Sequence, residues 1–396
     1  MITVIQGLPV WGDPDQGAVD QMLACLDHDD VIGAALMADH HLGYSVPVGG
    51  VIAYGEHVSP SGVGYDIACG NKAVRLDVDG AWLRENIGTL MDQVWRGVSF
   101  GVGRKNANEP DHPLFHDDPA WDIPVAADLR DLARSQIGTV GSGNHYVDLF
   151  TDEEDRVWIG VHFGSRGLGH KLATHFIKAG GGKDGIHVAP TLLHQDSELG
   201  REYIACMSLA GRYAYAGRDW VCETVARILG GSILEEIHNH HNFAWRENHG
   251  MRDMWVVRKG ATPAAPGQRG FVGGSMGEPS VILEGVDHES GPTSFESTVH
   301  GAGRVMSRTA AAGKFKGWGA KRHQVSRGAI SEGMMREWVE RAGVTLRGAG
   351  TDESPHCYKR LSDVLAAHGD TVRILHTLTP VGVAMASAGE HDPYRD

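Results

Sequence analysis

The sequence predicts an α/β fold in which mixed and antiparallel strands surround one long core helix, and three observations point to it. Short apolar stretches bounded by glycine turns recur along the chain and read as strands. Residues 137–170, IGTVGSGNHYVDLFTDEEDRVWIGVHFGSRGLGH, run as glycine turn, strand, acidic hairpin tip, strand and glycine turn, an antiparallel pair. Residues 199–229 carry the longest helical period, with Ala205, Ala210, Ala214 and Ala216 permitting close packing around a central helix. At 396 residues the chain can bury a sizeable core, and its length allows one large domain or two to three smaller ones.

Taken in order, Ile2 to Gln6 reads as a strand and Val19 to Leu26 as an amphipathic helix. Residues 31–55 read as two apolar strands flanking a polar turn that displays Asp39, His40 and His41. Residues 62–75, GVGYDIACGNKAVR, form a glycine-rich turn feeding a strand. Residues 81–98 are helical in period, and Lys105 to Pro124, rich in Asp, Asn and Pro, reads as a long loop without a domain boundary. In the hairpin that follows, Asn144, His145 and Asp148 fall on the first strand and His162 ends the second. Alternation puts His145 with Val147 on one face and Asn144, Tyr146 and Asp148 on the other, so the Asn-His pair can serve one site only at a strand mouth or bulge. After the long helix, a strand would point His238 and His240 one way and His241 the other. Residues 254–285 give a strand, a Pro and Gly loop, and the GGSMG turn before another strand. Residues 297–311, STVHGAGRVMSRTAA, place His300 before Gly-Ala-Gly and the start of a helix carrying Arg304 and Arg308.

Composition narrows the function. The 54 glycines are about twice the ~7% average and cluster in motifs, which favours tight turns near ligands and an enzyme over a scaffold. The net charge of −14 argues against whole-surface nucleic-acid binding while allowing a local basic groove. Cys25, Cys69, Cys206, Cys222 and Cys357 are an odd set without paired spacing, so no disulfide framework is expected. The first residues have no signal-peptide character and no apolar run would span a bilayer, so a cytoplasmic protein is expected.

Chemistry concentrates at a few points. Asp66 and Cys69 set a hard carboxylate three residues from a soft thiol, a spacing that by itself fits a buried structural cysteine after a turn aspartate somewhat better than a mixed metal anchor. Histidines beside glycine turns (His145 and His162), together with the HNHHN cluster at 238–242, supply further ligands. The turn at Gly273, Gly274, Ser275 and Met276 offers backbone amides to phosphate oxygens or a purine edge. A helix start with two guanidiniums would lay a phosphate beside His300, which could attack phosphorus or merely hydrogen-bond it.

Together the motifs MADHHLGY, GYDIACGN, GTVGSGNHYVD, VHFGSRGLG, the HHN of 240–242, RKGAT, GGSMG followed by Ser280, HGAGRVMSR and the Tyr358-Lys359 pair resemble the RtcB family of RNA-splicing ligases over nearly the whole chain. The resemblance implies one α/β domain over residues 1–386 with a tail at 387–396, two manganese ions, GTP, and a covalent guanylyl-histidine. By position, one manganese would take Asp66, Cys69 and His145, and the second Cys69, His162 and His241. His300 would be the guanylylated nucleophile, with Asp39 and Arg304 near the reacting groups. The nucleotide pocket would comprise Asn144, His145, Tyr146, Val147, Asp148, His241, Asn242, Gly273, Gly274, Ser275, Met276, Ser280, His300, Gly301, Ala302, Gly303, Arg304 and Tyr358. The implied partners are RNA with a 3′-phosphate or cyclic phosphate end, RNA with a 5′-hydroxyl end, and an accessory activating protein. A bridging thiolate suits Zn²⁺ better than Mn²⁺ on softness, so the metal's identity comes from the family alone.

Three positions depart from the family pattern: Asp148 stands where glutamate is usual, Met385 replaces a terminal lysine that contacts the nucleotide, and Gly217 replaces an asparagine in the long helix. Two other functions fit the same residues: a dinuclear metal phosphoesterase using water as nucleophile, and a nucleotide- or RNA-binding paralogue without catalysis.

Overall fold

Apolar alternation near the N-terminus produces a six-stranded sheet in the order Ile2–Ile5, Leu8–Trp11, Val31–His41, Val48–Tyr54, Arg252–Lys259, Asn242–His249. A computed structural model describes residues 2–316 and 323–388, so most of the C-terminal tail expected at 387–396 lies outside the described residues. The first two strands turn at Gln6 and Gly7, both at positive φ, and the helix Gln16–Cys25 is capped by the Asp15 side chain on the Ala18 amide.

The second sheet positions the functional residues. Its order is Ile233–His240, Gly70–Asp79, Arg156–Phe163, Tyr146–Thr151, Val372–Ser387, Ser280–Gly285, Arg269–Val272, with Thr345–Ala349 added parallel to Val372–Ser387. The pairings along this order are antiparallel. Register aligns Met385, Tyr146, His162, Asn71 and Asn239 in one row across five strands. Chain segments leaving the sheet near this row therefore meet at one mouth.

The helix Glu198–Leu229 joins the two halves of the core. Its first part, from Tyr203 to Ala216, packs in the cluster beneath the first sheet, and its last part, from Val221 to Leu229, packs against Val74, Ile159 and Val161 of the second. The expected α/β class with mixed and antiparallel sheets and a long core helix is what the chain adopts.

Four local expectations need correction. Asp39 and His40 are not displayed on a turn: the strand runs to His41 and both are fully buried. The loop at 105–124 contains short helical turns, Leu114–Asp117 and Pro119–Asp122. The glycine turn after His162 opens directly into a helix, Arg166–Ala179. No helix begins at Gly301; the helical turn is Arg308–Ala312, capped by Ser307. At Gly303, φ is +74° and a β-carbon would lie 2.2 Å from the Asp39 carbonyl, so the chain is held there in a non-helical bend.

Candidate active site

The site is built outward from Cys69. Ala68 adopts a left-handed φ of 60°, which swings the thiol out of line with the strand that follows. The Cys69 carbonyl accepts the amides of His241 (2.9 Å) and Asn242 (3.3 Å), tying the histidine cluster to the thiol's own backbone. Cys69 Sγ lies 3.4 Å from His162 Nε2 and 3.6 Å from His145 Nε2, with ligand atoms of all three residues within 4.8 Å of one another. Asp66 Oδ2 is 3.1 Å from the same His145 Nε2. Gly164 permits this approach, because a β-carbon there would sit 2.3 Å from Asp66 Oδ1.

Protonation favours a cation at this point. His145 Nδ1 lies 2.9 Å from the Val140 carbonyl and 3.1 Å from the Arg166 guanidinium, contacts that fix the ring so that Nε2 faces the carboxylate and the thiol. Burial holds His162 and His241 well below the usual histidine range, so both are neutral and ligand-competent, and the buried Nδ1 of His241 has no hydrogen-bond partner. Burial would raise Asp66, yet the hydrogen bond and charge of His145, with Arg166, bring it down to about 2. Burial and neighbouring Asp66 push the Cys69 thiol up, so a bound cation is what would hold it as thiolate. Converging lone pairs from sulfur, nitrogen and oxygen fit a divalent metal. The structure groups Cys69, His145 and His162 most tightly, with His241 next to His162 at a ring-centroid distance of 5.0 Å.

His300 sits beside this cluster, its ring centroid 4.9 Å from that of His241. Asp39 Oδ2 accepts from His300 Nδ1 at 2.6 Å and from the backbone amides of His300 (2.9 Å) and Gly301 (3.3 Å). Burial raises the Asp39 carboxyl, but the charge and hydrogen bonds of His300 outweigh it and hold Asp39 below the ordinary carboxylate range. In the neutral ring, with Nδ1 as donor, Nε2 is the nitrogen carrying the lone pair.

One cavity brings these groups together with most of the sequence-predicted residues. Its walls include Asp66, Cys69, Asn144, His145, Tyr146, Asp148, His162, His241, Asn242, Gly273 to Met276, His300 to Arg304 and Tyr358. Asn144 and His145 both face it because the strand begins only at Tyr146, which puts the pair at the strand mouth. Two predicted residues stand apart. Val147 alternates into the apolar core behind the sheet, and Ser280 accepts the Gly274 amide at 3.0 Å, shaping the glycine turn.

The anion site expected from two arginines is also different in kind. Arg304 donates to Glu353 (3.1 Å), Tyr358 (2.8 Å) and the Asp352 carbonyl (2.7 Å), and Arg308 pairs with Asp352 at 2.9 Å. Both guanidiniums are partly neutralised by carboxylates, while Arg304 still lines the cavity.

The chain matches the family model described as tRNA-splicing ligase RtcB over residues 21–124 and 120–386. The chain belongs to the RtcB family. Among its relatives, an RNA-splicing ligase RtcB1 of Escherichia coli is 32% identical over 411 residues, covering 95% of each chain. The RNA-splicing ligase RtcB of strain K12 is 31% identical at the same coverage, and the tRNA-splicing ligase RtcB of Archaeoglobus fulgidus is 30% identical over 89% of this chain and 87% of its own.

Several residues of this RtcB-family cavity escaped the sequence reading. Lys259, whose ammonium burial pushes down to about 8, lines the cavity from within the RKGAT motif. Glu353 lines it too, as does His41, which the sequence had marked only as part of a polar turn. Arg218, wholly buried in the long helix, donates to the Ala68 carbonyl (3.1 Å), the Phe163 carbonyl (2.5 Å), His238 Nε2 (2.7 Å) and His240 Nδ1 (2.9 Å). It thus clamps the residue before Cys69 to the residue after His162. His238 and His240 point together at Arg218, and His241 alone of the cluster faces the cavity. Arg218→Met is expected to destabilise the fold by about 3 kcal/mol or more, since buried carbonyls and imidazoles lose their donor. Urea unfolding measures it, and a shift inside about 0.5 kcal/mol would rule the clamp out.

Proposed function

We infer that this protein is an RNA ligase that joins a 3′-phosphate or 2′,3′-cyclic phosphate end to a 5′-hydroxyl end, consuming GTP through a guanylyl-His300 intermediate. The observation that carries this reading is the 2.6 Å contact of His300 Nδ1 with buried Asp39, which leaves Nε2 as a nucleophile at a cavity wall beside the metal-ligand cluster. His300 Nε2 would attack the α-phosphorus of GTP, forming the N–P bond as the bond to pyrophosphate breaks. Asp39 orients the ring and stabilises the positive charge it gains. An oxygen of the RNA 3′-phosphate then displaces the imidazole from phosphorus, and the 5′-hydroxyl oxygen attacks the activated 3′-phosphorus, releasing GMP. A cyclic phosphate would first be opened to the 3′-phosphate.

Asp66, Cys69, His145, His162 and His241 would hold two manganese ions, which when bound supply charge neutralisation of the phosphates. The glycine turn at Gly273 to Met276 and the backbone of Gly301 to Gly303 would cradle the nucleotide. Asp148 would meet the base: its Oδ1 is buried without a partner, and burial holds the carboxyl well above the carboxylate range. A neutral acid can both donate and accept, and Met385, on the wall of the same cavity, brings no charge, so discrimination between purines should be weak. ATP is therefore expected to compete with labelled GTP within roughly a hundredfold of its affinity. A guanine preference of several thousand-fold would show that other residues read the base.

The ligase reading is tested with labelled RNA in GTP and Mn²⁺. Joining is expected for 3′-phosphate with 5′-hydroxyl ends, with the label retained in the new linkage, and is expected to stop on chelation. Joining of 3′-hydroxyl with 5′-phosphate ends, or release of the label as inorganic phosphate, would contradict it, the latter in favour of a phosphoesterase.

A further inference from the structure

A cluster of aromatic rings adjoins the cavity and has no part in the chemistry above. Residues 42–47 connect His41 and Val48, both on the cavity wall, and carry Tyr44, whose surface is 41% exposed. Tyr65 immediately precedes Asp66, and its ring lies 6.4 Å from that of Tyr44 at 84°. On Tyr65 stacks His170, with centroids 5.1 Å apart and planes 26° apart. The segment is pinned on several sides. Lys259 Nζ, itself on the cavity wall, donates to the carbonyls of Tyr44 (2.5 Å) and Val46 (3.0 Å). The Ser45 amide donates to the Gly185 carbonyl at 2.9 Å, and the Tyr65 hydroxyl bonds Asp184.

A pinned turn that leaves two-fifths of a tyrosine exposed, on a segment joining two walls of the cavity, has the properties of a stacking surface. Every nucleobase has a π-face, so aromatic stacking holds an RNA end without regard to sequence, as an end-joining enzyme requires. The net charge of −14 leaves little general electrostatic attraction for RNA, which puts more of the binding on such contacts. Exposed Lys171, next to His170, and Lys183, next to Asp184, add local positive charge.

Resting on the ligase reading, we propose that Tyr44 and Tyr65, backed by His170, form a platform on which the terminal nucleobase of one RNA end stacks during sealing. The two ends share this chemistry, and the substrates below separate them.

The test compares wild type, Tyr44→Ala and Tyr44→Phe in two steps. GMP attachment without RNA reports that the fold and nucleotide site are intact and is expected to be equal in all three. For sealing, Tyr44→Ala is expected to raise the KM for RNA roughly five- to 150-fold with little change in kcat, and Tyr44→Phe to stay near wild type. RNA lacking the terminal base at the 3′ end, or at the 5′ end, is then used with each enzyme. At the end that stacks, the abasic substrate should weaken wild type by a similar factor and leave Tyr44→Ala no worse than before. If Tyr44→Ala seals intact RNA with unchanged KM, or if both abasic substrates behave like normal RNA with wild type, the platform is wrong. If wild type attaches no GMP and seals no RNA, it is the ligase reading that fails.

Discussion

Cys69→Ala is expected to abolish sealing and to strip metal from the protein, beyond the roughly 10–100-fold affinity loss typical of changes in residues that only support a ligand. Its sulfur is close to both His145 Nε2 and His162 Nε2 (3.6 and 3.4 Å), so its removal takes a ligand from each proposed ion at once. His145→Ala or His241→Ala should remove a ligand from only one. Metal counting after dialysis separates the cases, and two equivalents of tightly held manganese on Cys69→Ala would disprove the bridging role.

His300→Ala is expected to leave metal content nearly unchanged and to cut overall joining by a factor on the order of 10⁶, the scale of losing a covalent nucleophile. The separation follows from geometry: the His300 ring is packed edge-on to His241 and fixed by Asp39, outside the Cys69, His145 and His162 cluster. A nitrogen lone pair cannot coordinate a metal and attack phosphorus at once. RNA supplied with a 3′-guanylylated end should still be sealed by the variant, because that step uses no imidazole nucleophile. Loss of sealing on that substrate, together with loss of metal, would place His300 among the metal ligands instead.

Much of the site was legible because its residues come in short motifs next to glycine turns, where little chain intervenes between the ligand and the bend that aims it. Cys69, His145 and His162 are of this kind, whereas His241 was legible from its place in the HHN motif. Arg218 was not legible, because two of its partners are the backbone carbonyls of Ala68 and Phe163, groups that every residue type presents. The helix expected after His300 failed for a tertiary reason: the Gly303 backbone passes so close to Asp39 that only a positive-φ glycine fits. Asp39 itself was misjudged as displayed, since polarity in sequence suggested a turn. The strand instead carries it inward to the His300 imidazole, which compensates its burial. Val147 was placed in the pocket by the family resemblance, whereas strand alternation turns its side chain into the core.

The central claim is that His300 carries GMP, and intact-protein mass after incubation with GTP and Mn²⁺ tests it most directly. The account predicts a single added guanylyl group, lost in acid, kept in base, absent from His300→Ala and mapped to the peptide containing His300. An adduct of the same mass on His300→Ala, or RNA sealing by a wild-type enzyme that never acquires one from any purine triphosphate, would contradict it.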